Sequence, residues 1–152
     1  MRRVLLLLLA LMPAIAMAGF PFEATLEEMA QQSDHILVGR VAGVDMVDGQ
    51  GRPVKDPEAR TGPSLDNTIR LLIQVDQVLV SNAVEVPDVI PVPLASHLHY
   101  KLGQIQEAHE GGEEVRLVLL KGSDFVGIKP GVFLRPLTDK DTALRLHAAS
   151  HP

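Results

Sequence analysis

The stretch HILVGRVAGVD, residues 35–45, decides the fold. Ile36, Leu37 and Val38 are apolar in succession, the mark of a strand covered on both faces, as where two sheets pack or a barrel closes. Gly39 and Gly43 then interrupt it. A glycine inside a strand weakens packing, yet it permits the sharp coiling by which one strand turns a barrel corner. The reading is a bent first strand with which later strands pair.

Strand signals continue downstream. In residues 68–81, Ile69, Leu71, Ile73, Val75 and Leu79 share one parity, while Thr68, Arg70, Gln74 and Asp76 share the other. Each buried aliphatic side chain of that row contributes roughly 1.5–3 kcal/mol. Ser81-Asn82 ends the run as a turn. Residues 84–94 read as a third strand, and Pro87, Pro91 and Pro93 confine it to an edge or a bulge, because proline cannot donate to a ladder. From Glu113 the alternation resumes, Gly122-Ser123-Asp124 turns the chain into residues 125–128, and Pro130-Gly131 turns it into a last strand over 132–137.

Helical signals are fewer. Thr25 with Glu28 forms a capping box ahead of Leu26, Met29 and Ala30, with Met29 as core filler. Leu98, Leu102 and Ile105 predict a helix within residues 96–110, stopped by Gly111-Gly112, although Gly103 lies inside it and a hairpin arm around His97 and Tyr100 is the alternative. Thr138, with Asp141 three residues on, caps a short helix that frays toward Pro152.

The chain begins with Arg2-Arg3, an unbroken apolar run over residues 4–11, Pro13 and the small-residue stretch Ala16-Met17-Ala18. This is the grammar of a signal peptide cleaved after Ala18, with an apolar core too short for the roughly 20 residues of a membrane span. The expectation is a periplasmic or secreted protein with no membrane span after cleavage. Of 152 residues, 134 remain (19–152), enough for a single β-barrel domain. Loss of the two arginines takes the net charge from −5 to −7. An acidic surface without a basic patch argues against nucleic acid and anionic lipid as partners. The absence of cysteine excludes disulfides, thiol nucleophiles and cysteine metal sites.

Residues 46–67 are rich in glycine, proline and charge, and read as a long, mobile loop. Its charged residues Asp48, Arg52, Lys55, Asp56 and Arg60 are candidates for contact with a partner. Among six histidines, His97 and His99 share a face if extended, and with His109 form a candidate metal set. His147 and His151 lie at helical spacing in the tail. The sequence has no G-x-S-x-G, phosphate-binding loop or dinucleotide fingerprint. The carboxylate pairs Asp45/Asp48 and Glu113/Glu114 read as solvated loop faces.

The order of helix, bent strand, long loop, strand, edge strand, helix and closing hairpin resembles the OB-fold. The segments SDHILVGRVAGV and IQVDQVLVS are similar to paired motifs of a group of exported bacterial proteins, and more remotely of the inhibitor domain of tissue inhibitors of metalloproteinases. The resemblance spans residues 33–135 and implies a small Greek-key barrel of five to six strands, mainly β with minor α. Two departures stand out. Val80-Ser81 replaces the usual Lys-Gly ending of the second motif, and Gly19 stands where the inhibitors carry the cysteine that chelates the target's metal, so metalloprotease inhibition is not implied. The expected function is a non-enzymatic binding or structural module, needing no cofactor. It would engage a protein or envelope component through residues 46–67 and the 84–94 edge, the alternative being a small metal-binding protein.

Overall fold

The computed structural model describes residues 21–152. The expected signal peptide, residues 1–18, and Gly19 lie outside the described residues. The element order is α1 (Leu26–Gln32), β1 (His35–Val47), β2 (Thr68–Ser81), β3 (Val89–Pro93), α2 (Leu102–Ala108), β4 (Arg116–Lys121), β5 (Val126–Gly127), β6 (Leu134–Pro136), a single 3-10 turn (Leu137–Asp139) and α3 (Lys140–Ser150). The protein is mainly β: six antiparallel strands in the order β3-β2-β1-β4-β5, with β6 also on β4.

The long first strand is irregular where the glycines sit. Its pairing with β2 shifts register between Ile36 and Leu37, between Val38 and Gly39, and between Val41 and Gly43. Each shift inserts an unpaired residue and adds twist, so β1 coils along its length. Gly39 is required by a close approach: a Cβ there would lie 2.5 Å from the Gln74 carbonyl oxygen. Gly43 is under no such constraint, since the nearest atom to its Cβ position is Leu72 Cδ1 at 3.5 Å.

Coiling gives β1 and β4 two buried faces. Leu37, Val41, Val118 and Leu120 point into a central core with Leu71, Ile73, Ile90, Val92 and Phe133. Ile36, Leu117 and Leu119 point the other way, under Met29 and Ala30 of α1 and Ala143 of α3. All of residues 117–120 are therefore buried. A third cluster, Met46, Ile69 and Leu102, closes the end beneath α2.

β3 is shorter than the sequence suggests, and an edge strand as expected. The Leu94 amide donates to Ile69 O and the Asp88 carbonyl accepts from Val75 N, so even-numbered residues of this strand face β2. Pro91 and Pro93 consequently face the free edge and leave it without donors there. Thr25 caps α1 as read, its hydroxyl accepting from Glu28 N at 3.1 Å.

Three expectations need correction. α2 begins at Leu102, because residues 96–100 form tight turns locked by Thr61, whose hydroxyl donates to Leu98 O at 2.6 Å. α3 is not capped by the Thr138 side chain. It follows the 3-10 turn, with Asp139 bound instead to Arg135 at 2.8 Å, packs on α1, and ends at Ser150, with exposed His151 and Pro152 beyond the helix as expected. Residues 46–67 are not a free loop but a series of hydrogen-bonded turns, described next.

Candidate functional site

The 46–67 segment is built on local caging. The Asp48 carboxylate accepts from the amides of Gln50 (2.9 Å) and Arg52 (3.0 Å) and from Arg52 Nε (2.7 Å). Those bonds, the Arg52 amide first, hold the Asp48 carboxyl below its usual pKa. Gly51 supplies the positive φ, +77°, that closes the turn. Val54 N then returns to Met46 O, and the Asp56 carboxylate accepts from Glu58 N at 2.9 Å to form the next turn.

Beyond that turn the segment docks on α2. Pro57 and Ala59 carbonyls accept from Gly103 and Leu102 amides, both at 2.9 Å, Arg60 bridges to Lys101, and Lys101 Nζ pairs with Glu58 at 2.7 Å. This contact explains the glycine inside a helix. A Cβ on Gly103 would stand 3.1 Å from both Cβ and O of Pro57. Buried Thr61 completes the anchor, accepting from Tyr100 N at 3.1 Å. Burial raises the Tyr100 phenol pKa above its ordinary value.

Between this segment, α2 and residues 42–44 of β1 lies an open cleft of about 740 Å³. Its polar wall is Glu58, Lys101, Gln104, Gln106, Glu107 and His109. Gln106 Nε2 reaches Val44 O at 3.4 Å. A cleft of this size, lined by amides and carboxylates over a small-residue floor of Ala42 and Gly43, suits a polar or charged group more than an apolar ligand.

The candidates from the sequence distribute unevenly. Asp48 and Arg52 are engaged with each other, Asp56 caps a turn, and Lys55 and Arg60 are exposed. The histidines do not converge. His97 packs edge-on to Phe22, with ring centroids 5.1 Å apart. His99 faces Gly62, whose Cβ position is 2.9 Å from His99 Nδ1. His109 caps the C-terminus of α2 and lines the cleft. Among the described residues no three His, Asp or Glu side chains form a group able to hold a metal ion.

Sequence reasoning missed the polar face of α2, Gln104 and Glu107, which its short helical pattern could have indicated. It also missed a buried polar node. His35 is fully buried, with Nε2 2.9 Å from Gly122 O and Nδ1 2.8 Å from Ser81 Oγ. A carbonyl only accepts, so Nε2 carries the hydrogen. Ser81 Oγ accepts from Ala83 N and gives its proton to Nδ1. Asp34 accepts from Gly122 N at 2.7 Å and Asn82 Nδ2 at 3.1 Å. Asp34 and His35 thus staple the turn after β2 to the turn after β4. Ser81 is spent in that staple, and the 540 Å³ cavity beside it is lined by His35 rather than by Ser81.

The fold and cleft define a mainly antiparallel β domain with a polar groove over one helix. No protein-family model, curated protein or solved structure matches the chain. Among the described residues no helix is long and apolar enough to cross a membrane.

Proposed function

We propose that this is an exported, non-enzymatic binding module of OB-type barrel design, engaging a protein or envelope component through the cleft that residues 46–67 form with α2. The observation that carries the reading is the docking of that segment. Five hydrogen bonds and one ion pair fix it to α2 and the turn before it, which gives one wall of the cleft a set shape in a region whose composition predicts a loop. A pre-shaped wall lowers the ordering cost of binding.

The barrel reading draws support from β1 pairing with both β2 and β4, and from Gly131 of the closing hairpin, whose Cβ position lies 3.3 Å from Ala95 N just beyond β3. The 84–94 edge would act through exposed Val84 and Val89, not through its backbone, because Pro91 and Pro93 remove outward donors. The test is capture from a periplasmic extract by the parent and by Gln104→Lys/Glu107→Lys, both exposed positions. A species lost with this variant and retained with Glu27→Lys on α1 supports the reading. Identical capture by all three proteins overturns it.

A further inference from the structure

We propose that the groove between the end of β3 and β5 binds a free single-chain amphiphile with an anionic head, an alkyl carboxylate. The site begins as a gap in the sheet. β3 and β5 stand at opposite ends of the strand order and share no ladder. Pro91 and Pro93 strip outward donors from β3, and β5 is only two residues long, so neither edge can zip to the other. The two sides come together at one point, where the Gly131 Cβ position lies 3.3 Å from Ala95 N. Beside that point lies a cavity of about 480 Å³.

Its lining divides by chemistry. Pro93, Leu94, Val126 and Pro130 supply apolar walls, and Lys121 and His97 bring basic groups. Among the described residues no carboxylate lines it, in a chain whose Asp and Glu outnumber Lys and Arg by 19 to 14. Lys129, which also borders the cavity, is spent: its Nζ lies 2.9 Å from Glu28 Oε1 and donates to Glu23 O at 2.8 Å. Half-buried Lys121 enters none of the ion pairs formed among the described residues. An ammonium without a counter-ion at the edge of an apolar cavity favours an anion there and rejects a cation. The apolar walls then ask for a hydrocarbon tail behind that anion.

The overall charge selects a dissolved molecule over a membrane. A net charge of −5 repels an anionic bilayer as a whole, whereas one dissolved anion meets the local field of the groove. The site is separate from the α2 cleft, with which it shares no lining residue.

The test is calorimetric titration of the protein with octanoate, decanoate and dodecanoate below their micelle concentrations, beside dodecyltrimethylammonium. One carboxylate per chain is expected, tightening about three- to fourfold per added methylene, with no saturable binding of the cation. Lys121→Met keeps an apolar stem, removes the charge, and should weaken dodecanoate binding about tenfold. Gln104→Ala in the α2 cleft should bind as the parent does. If Lys121→Met does not fold, the chain-length and head-charge series on the parent protein decide by themselves. No dodecanoate binding up to ~1 mM, equal binding of dodecyltrimethylammonium, affinity unchanged in folded Lys121→Met, or loss with Gln104→Ala overturns the proposal. So does co-sedimentation with phosphatidylglycerol vesicles that Lys121→Met abolishes, which would give the groove to a membrane surface instead.

Discussion

Replacing Gly39 should separate steric fit from backbone freedom. The Cβ of Gly39→Ala would enter a space 2.5 Å from the Gln74 carbonyl oxygen and 3.2 Å from Ile73 Cγ2, where ordinary contact begins near 3.4 Å. The obstructing atom is backbone of a paired strand, so β1 and β2 must part by several tenths of an ångström. Overpacking of this kind costs about 1–3 kcal/mol, against which the reduced entropy of the unfolded chain returns about 0.4–1 kcal/mol. The net loss expected for Gly39→Ala is about 1–2 kcal/mol, and for the branched Gly39→Val about 3 kcal/mol. For a domain of this size that is roughly 3–5 °C in Tm per kcal/mol. Gly43→Ala is the internal control. Its Cβ meets only Leu72 Cδ1 at 3.5 Å, so stability should be unchanged or raised by up to about 1 kcal/mol. Urea unfolding of the three variants at constant m-value gives the comparison directly. Gly39→Ala as stable as the parent, or equal to Gly43→Ala, refutes the close-approach argument.

Other expectations follow from individual contacts. His35→Ala removes a fully buried ring packed on Phe125 together with its bonds to the Gly122 carbonyl and the Ser81 hydroxyl, and should cost roughly 2–4 kcal/mol in urea unfolding. Asp48 has a folded pKa below its ordinary 3.8, so its contribution is present above that value and lost as pH falls through the lower folded one. The acid limb of a stability–pH profile should therefore flatten in Asp48→Asn, the parent's advantage being full above about pH 4 and fading as pH falls below it. Pro91→Val/Pro93→Val restores two outward N–H donors on β3. Sedimentation should show concentration-dependent association that the parent lacks. Gly103→Val pushes the 46–67 segment off α2, and should raise amide exchange at Leu102 and Thr61 while leaving β1 and β4 protected.

Several of these features are legible before any coordinates, and they share a cause: their physics is local. The period of two in Ile69, Leu71 and Ile73 needs only the strand's own geometry to put those side chains on one buried face. Proline's missing N–H marks residues 91 and 93 as an edge wherever the strand lies. The Thr25 hydroxyl finds its amide three residues on without help from the rest of the chain. The succession Ile36, Leu37, Val38 correctly announces a strand buried on both faces.

What tertiary structure alone decided are the contacts between residues far apart in sequence. Gly39 was singled out as a point of curvature, but the reason it must be glycine is the Gln74 carbonyl, 35 residues away. Gly103 looked like a flaw in a helix until Pro57 came to rest against it. Residues 46–67 have the composition of a mobile loop, and their order comes from Thr61, Lys101 and the α2 amides, which no local pattern announces. The same holds for histidine. Spacing grouped His97, His99 and His109, while the fold sent them to different settings, buried His35 between two turns, and gave His147 a carbonyl on α1. Alternation and backbone chemistry act over a few residues and can be read along the chain. Close approach and hydrogen-bond pairing depend on which distant segments meet, and packing alone settles that.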